Sequence, residues 1–105
     1  MQKELELYEM LYLIDPTFTE QETTKKINFY QNYLTDRGSQ VMIQDRGKRT
    51  LSYPIKGFET ANYIQMFYVG NGDLITSLNK EIGRDDKILR HITTKVGYQP
   101  ESTSQ

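Results

Sequence analysis

Residue types that carry reactive chemistry are scarce in this 105-residue chain, which has no Cys, no Trp and a single His. Without Cys, no disulfide framework, thiolate metal site or Cys nucleophile can form. The one histidine, His91, falls in a predicted strand, where a structural role is more common than metal binding. Glu9 and Asp15 are too isolated to form an acid–base pair. We therefore expect no enzymatic activity, no catalytic residue, no metal, no cofactor and no small-molecule substrate.

Long apolar runs are also missing. No stretch approaches the roughly 20 residues needed to cross a membrane, so we expect no membrane partner. Residues 1–6 are acidic and show neither a signal-peptide apolar region nor an Arg/Ser-rich transit pattern. We expect that the protein stays where it is made or has lost its targeting segment. Gly and Pro are few, and we predict one globular domain over residues 1–96, followed by a polar, disordered tail over residues 97–105.

Charge is unevenly distributed, although the net charge is only −1. Residues 1–22 carry six carboxylates against one cation, whereas residues 46–56 carry cations and no acid: Arg46, Lys48, Arg49 and Lys56. Because the whole molecule does not attract polyanions, any RNA contact must come from such local patches. The alternative is a solvated hairpin face, since short charge clusters are common.

The apolar pattern predicts six elements in the order β-α-β-β-α-β. The first strand, 5–14, is apolar at both parities, as in a central strand. A capping box at Thr19 and Glu22 begins a helix over 19–37, which Gly38 ends. The remaining elements are a strand over 41–55, a loop over 56–61, a strand over 62–69, a turn over 70–73, a helix over 74–82 and a strand over 87–96.

Two features qualify the long strand over 41–55. Pro54 cannot donate to a ladder and favours an edge position. The alternation of side chains along this strand keeps one register throughout, unless a bulge at Gly47 shifts that register. The element order predicts an α+β, ferredoxin-like fold, with two helices on one face of a four-stranded antiparallel sheet.

Such a sheet leaves one face without helices. We expect Tyr8, Met10 and Tyr12 on this face, together with one parity of residues 63–69. Exposed apolar area of this kind marks a partner site or a platform for bases, unless the aromatic side chains only complete a thin core. Residues 62–69 lack the basic residue and the Gly of the RRM signature, so RRM-like stacking is unsupported.

Several short segments, in this order and spacing, carry a family resemblance over nearly the full chain. They are Tyr8-Glu9, Tyr12-Leu13-Ile14, Pro16, Gly38, Arg46-Gly47-Lys48-Arg49, Leu51, Tyr53-Pro54-Ile55 and Ile88-Leu89-Arg90. With them the chain resembles small-subunit ribosomal protein six of the bacterial type. Residues 43–49 and 63–66 look most similar to cyanobacterial and plastid members.

The resemblance implies a structural constituent of the small ribosomal subunit, without catalytic activity, that binds the central domain of small-subunit rRNA together with ribosomal protein eighteen. It implies a location on ribosomes of the chloroplast stroma or of the cyanobacterial cytoplasm. The RNA- and partner-facing residues expected by position are Tyr8, Arg46, Lys48, Arg49, Tyr53 and Arg90. Thr50 stands where members commonly carry a basic residue, and Glu6-Leu7 replace another basic stretch, so we expect weaker direct RNA affinity.

Two other functions remain open from the sequence. One is a ferredoxin-like ligand-sensing or oligomerisation module, although residues 15–17 do not supply the Gly-rich effector loop that it would need. The other is a single-stranded RNA binder that acts without a partner. Oligomeric state and partner dependence of RNA binding distinguish the three.

Overall fold

The computed structural model of the protein describes residues 5–96, so the predicted tail over 97–105 lies outside the described residues. The element order confirms the prediction: β1 (Glu6–Ile14), α1 (Glu20–Thr35), β2 (Val41–Ile55), β3 (Phe58–Gly70), α2 (Gly72–Gly83) and β4 (Ile88–Lys95). The strands form one antiparallel sheet in the order β2-β3-β1-β4. The first strand is central and the Pro-containing strand lies at an edge, both as predicted.

Both helices begin at side-chain caps. The Thr19 hydroxyl accepts a hydrogen bond from the Glu22 amide at 3.1 Å, and the Glu22 carboxylate accepts one from the Thr19 amide at 2.8 Å. These two bonds are the predicted capping box. The helix α2 begins earlier than predicted, because the Asn71 side chain accepts a hydrogen bond from the Leu74 amide at 3.0 Å and caps the first turn.

The main core lies between the helices and one face of the sheet. Its fully buried members include Tyr30 and Leu34 from α1, Leu78 and Ile82 from α2, and six strand residues: Met10, Tyr12, Ile14, Ile64, Met66 and Tyr68. A second, smaller cluster contains no helix residue and consists of Leu13, Leu51, Ala61 and Leu89. The second cluster therefore packs on the opposite side of the sheet.

This arrangement corrects one expectation. Met10 and Tyr12 are completely buried against the helices, and Tyr8 packs against the same cluster. The even-numbered residues of β1 thus face the helices, and the odd-numbered residues face the other way. The face without helices, called the open face below, carries Leu11 and Leu13 instead.

A bulge in β2 explains how one strand contributes to both clusters. Asp45 is paired with Ile64 and Gly47 with Tyr63, so Arg46 is an extra residue on β2. Gly47 has a φ of 82°, and its amide donates to the Asp45 carboxylate at 2.9 Å. The extra residue reverses the alternation, as the sequence allowed. Before the bulge, odd-numbered residues such as Ile43 face the helices, whereas after it odd-numbered residues such as Leu51 face the open side.

The predicted loop over residues 56–61 is wrong. Strand β3 starts at Phe58, and the connection consists only of Lys56 and Gly57. Their φ values are 52° and 85°, as both central residues of a tight I′ hairpin turn require. Residues 58–61, which were predicted to lie in the loop, therefore belong to β3.

The tip of this hairpin bends over the open face. Thr50 pairs with Thr60 and Ile55 with Phe58, so residues 51–54 of β2 stand opposite residue 59 alone. Such an excess on one strand bends the ladder. As a result Tyr53 contacts Arg90 of β4, although β2 and β4 lie at opposite edges of the sheet.

One polar cluster ties α1 to the segment before β4. The Asp85 carboxylate accepts hydrogen bonds from the Lys26 ammonium and the Tyr30 hydroxyl, both at 2.7 Å. Burial raises the pKa of Asp85, but the bonds from Lys26 and Tyr30 outweigh it, so the pKa lies below its ordinary value. The cluster therefore stabilises the ionised carboxylate in the folded protein.

Candidate nucleic-acid interface

The open face gathers three arginines that lie on two different strands. Arg46 and Arg49 come from β2, around the bulge, and Arg90 comes from β4 at the opposite edge. All three side chains are exposed. Their convergence follows from the bulge, which turns Arg46 and Arg49 to the open side, and from the pairing of Arg90 with Leu13.

Arg46 is held by a chain of polar side chains that crosses the sheet. Its Nε and Nη2 donate to the Gln65 side-chain oxygen at 3.0 and 2.6 Å. The Gln65 amide in turn donates to the Glu9 carboxylate at 2.8 Å. This chain fixes the Arg46 side chain over β3 and links it to a carboxylate of the open face.

The other two arginines stack on tyrosines. The Arg49 guanidinium carbon lies 5.8 Å from the Tyr63 ring centroid, and that of Arg90 lies 5.6 Å from the Tyr53 centroid. Arg90 Nη1 also donates to the Tyr53 hydroxyl at 2.7 Å. Cation–π contacts of this kind orient a guanidinium while leaving its N–H groups available to phosphate or base edges.

Beside Arg90 the open face has a shallow hollow of about 150 Å³. Its lining residues come from all four strands: Leu11, Leu13, Leu51, Ser52, Tyr53, Ile55, Tyr63, Arg90 and Ile92. Most of them are apolar, and Tyr53 and Ile92 remain more than half exposed. Leu7 and Met42 are two further exposed apolar residues on the open side.

Four of the six predicted site residues therefore lie on the open face: Arg46, Arg49, Tyr53 and Arg90. The other two lie elsewhere. Lys48 is exposed but pairs with Asn62, and it has the parity of β2 that points to the helix side. Tyr8 is half-buried and stacks on Tyr68 of the main core, with ring centroids 5.8 Å apart.

Sequence reasoning missed Leu11 and Ile92 of this surface, and it left open which parity of residues 63–69 lies here, which the structure shows to be that of Tyr63 and Gln65. Each reaches the arginines by cross-strand pairing, not by proximity in sequence. Leu11, for example, is opposite Gln65 on β3 and Ile92 on β4. The signal available was the odd parity of β1 combined with a bulge at Gly47, which together define the open face.

Within residues 5–96 no three His, Asp or Glu side chains come together as a metal site would require. No helix among these residues is long and apolar enough to cross a bilayer. Burial lowers the pKa of His91, which favours its neutral form. Asp15 accepts hydrogen bonds from the amide and hydroxyl of Thr17 at 2.8 and 2.7 Å, so its carboxylate shapes the turn after β1.

The open face thus has the chemistry of a binding surface: guanidinium groups, aromatic rings and apolar area on one rigid sheet. Comparison with known proteins shows the family of the chain. The sequence profile of the family described as Ribosomal protein S6 matches residues 7–95. The chain belongs to the ribosomal protein S6 family.

Relatives agree with this assignment, and a solved structure shares the fold. The chain is 41% identical over 93 residues to small ribosomal subunit protein bS6c of Guillardia theta, covering 88% of this chain and 97% of the relative. It is 38% identical over 89 residues to bS6 of a Cyanothece species, with 84% of each chain covered. The crystal structure of 30S ribosomal protein S6 from Thermotoga maritima superposes with a TM-score of 0.84 at 19% identity, over 96% of this chain and 95% of that one. That last likeness confirms the ferredoxin-like fold.

Membership confirms the resemblance to cyanobacterial and plastid members and the prediction that the chain is not an enzyme. The protein is a structural ribosomal protein of the small subunit. This assignment favours the ribosomal hypothesis over the ligand-sensing or oligomerisation module that the sequence left open.

Proposed function

We propose that this S6-family chain binds the central domain of small-subunit rRNA together with ribosomal protein eighteen, and that the open face is its binding surface. The observation that carries the proposal is the convergence of Arg46, Arg49 and Arg90 on that face. Guanidinium groups recognise phosphates and base edges through several N–H donors in a fixed geometry. The net charge of −1 makes such a local cluster the main electrostatic route to RNA.

The apolar part of the same face supports a protein partner. Leu7 and Met42, which lie outside the hollow, are 41% and 59% exposed on the open side. Exposed apolar residues beside charged ones are typical of surfaces that become buried in an assembly. A chain with low net charge and an uncovered apolar area is expected to bind RNA cooperatively with a neighbour, because the neighbour supplies both apolar contact and charge.

Filter binding to a central-domain rRNA fragment tests the proposal, with and without ribosomal protein eighteen and over a range of salt concentrations. We expect binding that falls steeply with salt and that is stronger with the partner. A well-folded protein that does not bind the fragment in either condition would exclude the proposal.

Variants at Lys48 and Arg49 test which side of the sheet contacts RNA, because these adjacent residues point to opposite sides. Replacing both with Ala should weaken RNA binding and flatten its salt dependence, by about one unit of slope for each phosphate that a cation no longer neutralises. Arg49→Ala alone should account for most of the loss if the open face is the contact surface. Lys25→Ala on α1 removes an exposed cation from the helix side and is the matched control. Equal effects of Arg49→Ala and Lys25→Ala would exclude the open face.

The proposed location is the ribosome of the chloroplast stroma, with the cyanobacterial cytoplasm as the alternative. The identity to the bS6c protein of Guillardia theta supports the plastid location, and the identity to the Cyanothece protein supports the alternative. Detection of the protein in small subunits purified from isolated plastids of the source organism would distinguish the two.

A further inference from the structure

We infer that the hollow in the open face is a pocket for one unstacked nucleobase of single-stranded RNA. The inference rests on the proposed function and specifies it: the arginines would hold the RNA backbone, and the hollow would hold a base. Size is the first argument. At about 150 Å³ the hollow is well below the roughly 300 Å³ at which pockets for drug-sized ligands begin. It accommodates a single planar ring system and excludes a whole cofactor.

The lining of the hollow is the second argument. Leu11, Leu13 and Leu51 form its floor, and the last two are less than a tenth exposed. The rings of Tyr53 and Tyr63 also line it. Bases that leave a stack are held in proteins by aromatic rings and apolar side chains, because every base has a π face that these groups can cover.

Charge at the rim is the third argument, and it favours a base over an apolar protein side chain. Arg90 lines the hollow and stacks on Tyr53, and Arg49 stacks on Tyr63. Two guanidinium groups thus lie beside the two rings, where the phosphates on either side of an inserted base would need counter-charge. None of the lining residues is acidic. An apolar anchor from a partner protein would not use these cations.

The geometry of the hairpin explains why the pocket exists. The excess residues 51–54 bend β2 over the sheet and place Tyr53 within 2.7 Å of Arg90 of β4. A straight hairpin would carry Leu51 and Tyr53 beyond the end of β1 and leave a flat, open sheet. The bend supplies the second wall that a flat stacking platform lacks.

The test is a methyl NMR titration of the full chain, labelled at Leu and Ile methyl groups, with hexamers of uridylate and of adenylate. We expect upfield ring-current shifts for Leu51, Ile55 and Ile92, and no shift for Ile64 in the helix-covered core. Arg90→Gln should weaken hexamer binding at least about fivefold, and Tyr53→Ala should do the same because it removes the ring. Tyr53→Phe should retain more affinity than Tyr53→Ala, since it keeps the ring and removes only the bond from Arg90.

Arg37→Gln is the matched control, because Arg37 also stacks on a tyrosine, 3.7 Å from the Tyr33 centroid, but lies after α1 and away from the open face. It removes the same charge and should leave hexamer affinity within about twofold, as loss of a surface cation outside the binding surface does.

Three outcomes would overturn the inference. If hexamers bind in a salt-sensitive way while the hollow methyl groups stay unshifted, the hollow is not a base pocket, and the proposed function stands. If those methyl groups shift when ribosomal protein eighteen is added without RNA, and RNA alone leaves them unshifted, the hollow is an anchor site for the partner. If neither RNA nor the partner causes a shift and the rRNA fragment is not bound, the proposed function fails as well.

Discussion

Tyrosines lie on both faces of the sheet, but they have different surroundings on each face. Four tyrosines, Tyr8, Tyr12, Tyr30 and Tyr68, lie in or against the helix-covered core, where they pack on one another and on aliphatic residues. On the open face, Tyr53 and Tyr63 stack with arginines and stay partly accessible. The difference shows that an aromatic side chain in a strand indicates function only once its face is known.

Apolar side chains differ between the faces in the same way, and this comparison predicts the largest effect. Ile64 is fully buried under the helices, whereas Ile92 is 54% exposed on the open face. Ile64→Ala should lower the free energy of unfolding by about 2–5 kcal/mol, because it leaves a cavity in a close-packed core. Ile92→Ala should lower it by about 1 kcal/mol or less, since most of that side chain is already in water.

Chemical denaturation of the two variants measures the difference. Both substitutions delete the same atoms, so unequal costs report the environment alone. Similar losses for Ile64→Ala and Ile92→Ala would mean that the open face contributes to the folded core as much as the helix-covered face does.

The helix side also contains a polar cluster that is centred on Asp85. Asp85→Asn removes the charge that Lys26 neutralises and that the Tyr30 hydroxyl stabilises by a hydrogen bond. It should lower the free energy of unfolding by about 1–3 kcal/mol at neutral pH. The pKa of Asp85 is lower in the folded protein than its ordinary value of 3.8. Its contribution is therefore fully present above that value and is lost as pH falls through the lower folded pKa.

Urea denaturation at several pH values between about 5 and 2 tests this sign. The gap in stability between the parent protein and Asp85→Asn should narrow as pH falls, because a protonated carboxyl resembles the amide. A gap that is constant across that range would show that Asp85 acts through its shape and not through its charge.

The fold could be predicted because its signals are local. The capping box at Thr19 and Glu22, the apolar stripes of the helices and the edge-favouring Pro54 each depend on neighbours in sequence. The hairpin turn escaped prediction because Lys56 adopts a positive φ, which a residue other than Gly, Asn or Asp seldom does. The usual Asn-Gly or Asp-Gly signal is therefore absent at Lys56-Gly57.

The candidate site was less predictable, for a reason that concerns the strands. Because β1 is apolar at both parities, nothing in its sequence says whether Tyr12 or Leu13 faces the helices. Arg46 and Arg49 were predicted because the basic residues of β2 are close together in the chain, and Arg90 because it lies in a segment that resembles the family. For Tyr63 and Gln65 the sequence left two parities open, because their place beside Arg49 and Arg46 depends on cross-strand register and on a one-residue bulge.

The smallest predicted effects come from two tyrosine hydroxyls within the same core. The Tyr30 hydroxyl donates to Asp85 at 2.7 Å, whereas the Tyr12 hydroxyl is buried without a hydrogen-bond partner among residues 5–96. Tyr30→Phe should lower the free energy of unfolding by about 1–2 kcal/mol, as loss of a bond to a charged acceptor does. Tyr12→Phe should leave it unchanged or raise it by up to about 1 kcal/mol, because a buried polar group without a partner is removed.

Both substitutions delete one oxygen and keep the ring, so the apolar contacts of the core are preserved in each variant. Thermal and chemical denaturation of the pair therefore isolate the hydroxyl. Burial and the Asp45 carboxylate both raise the pKa of the Tyr12 hydroxyl. If Tyr12→Phe proved as destabilising as Tyr30→Phe, this hydroxyl would have to be hydrogen-bonded in solution, either to an internal water or to Asp45. The helix-covered face would then contain a second buried polar interaction, next to Asp45 at the bulge of β2.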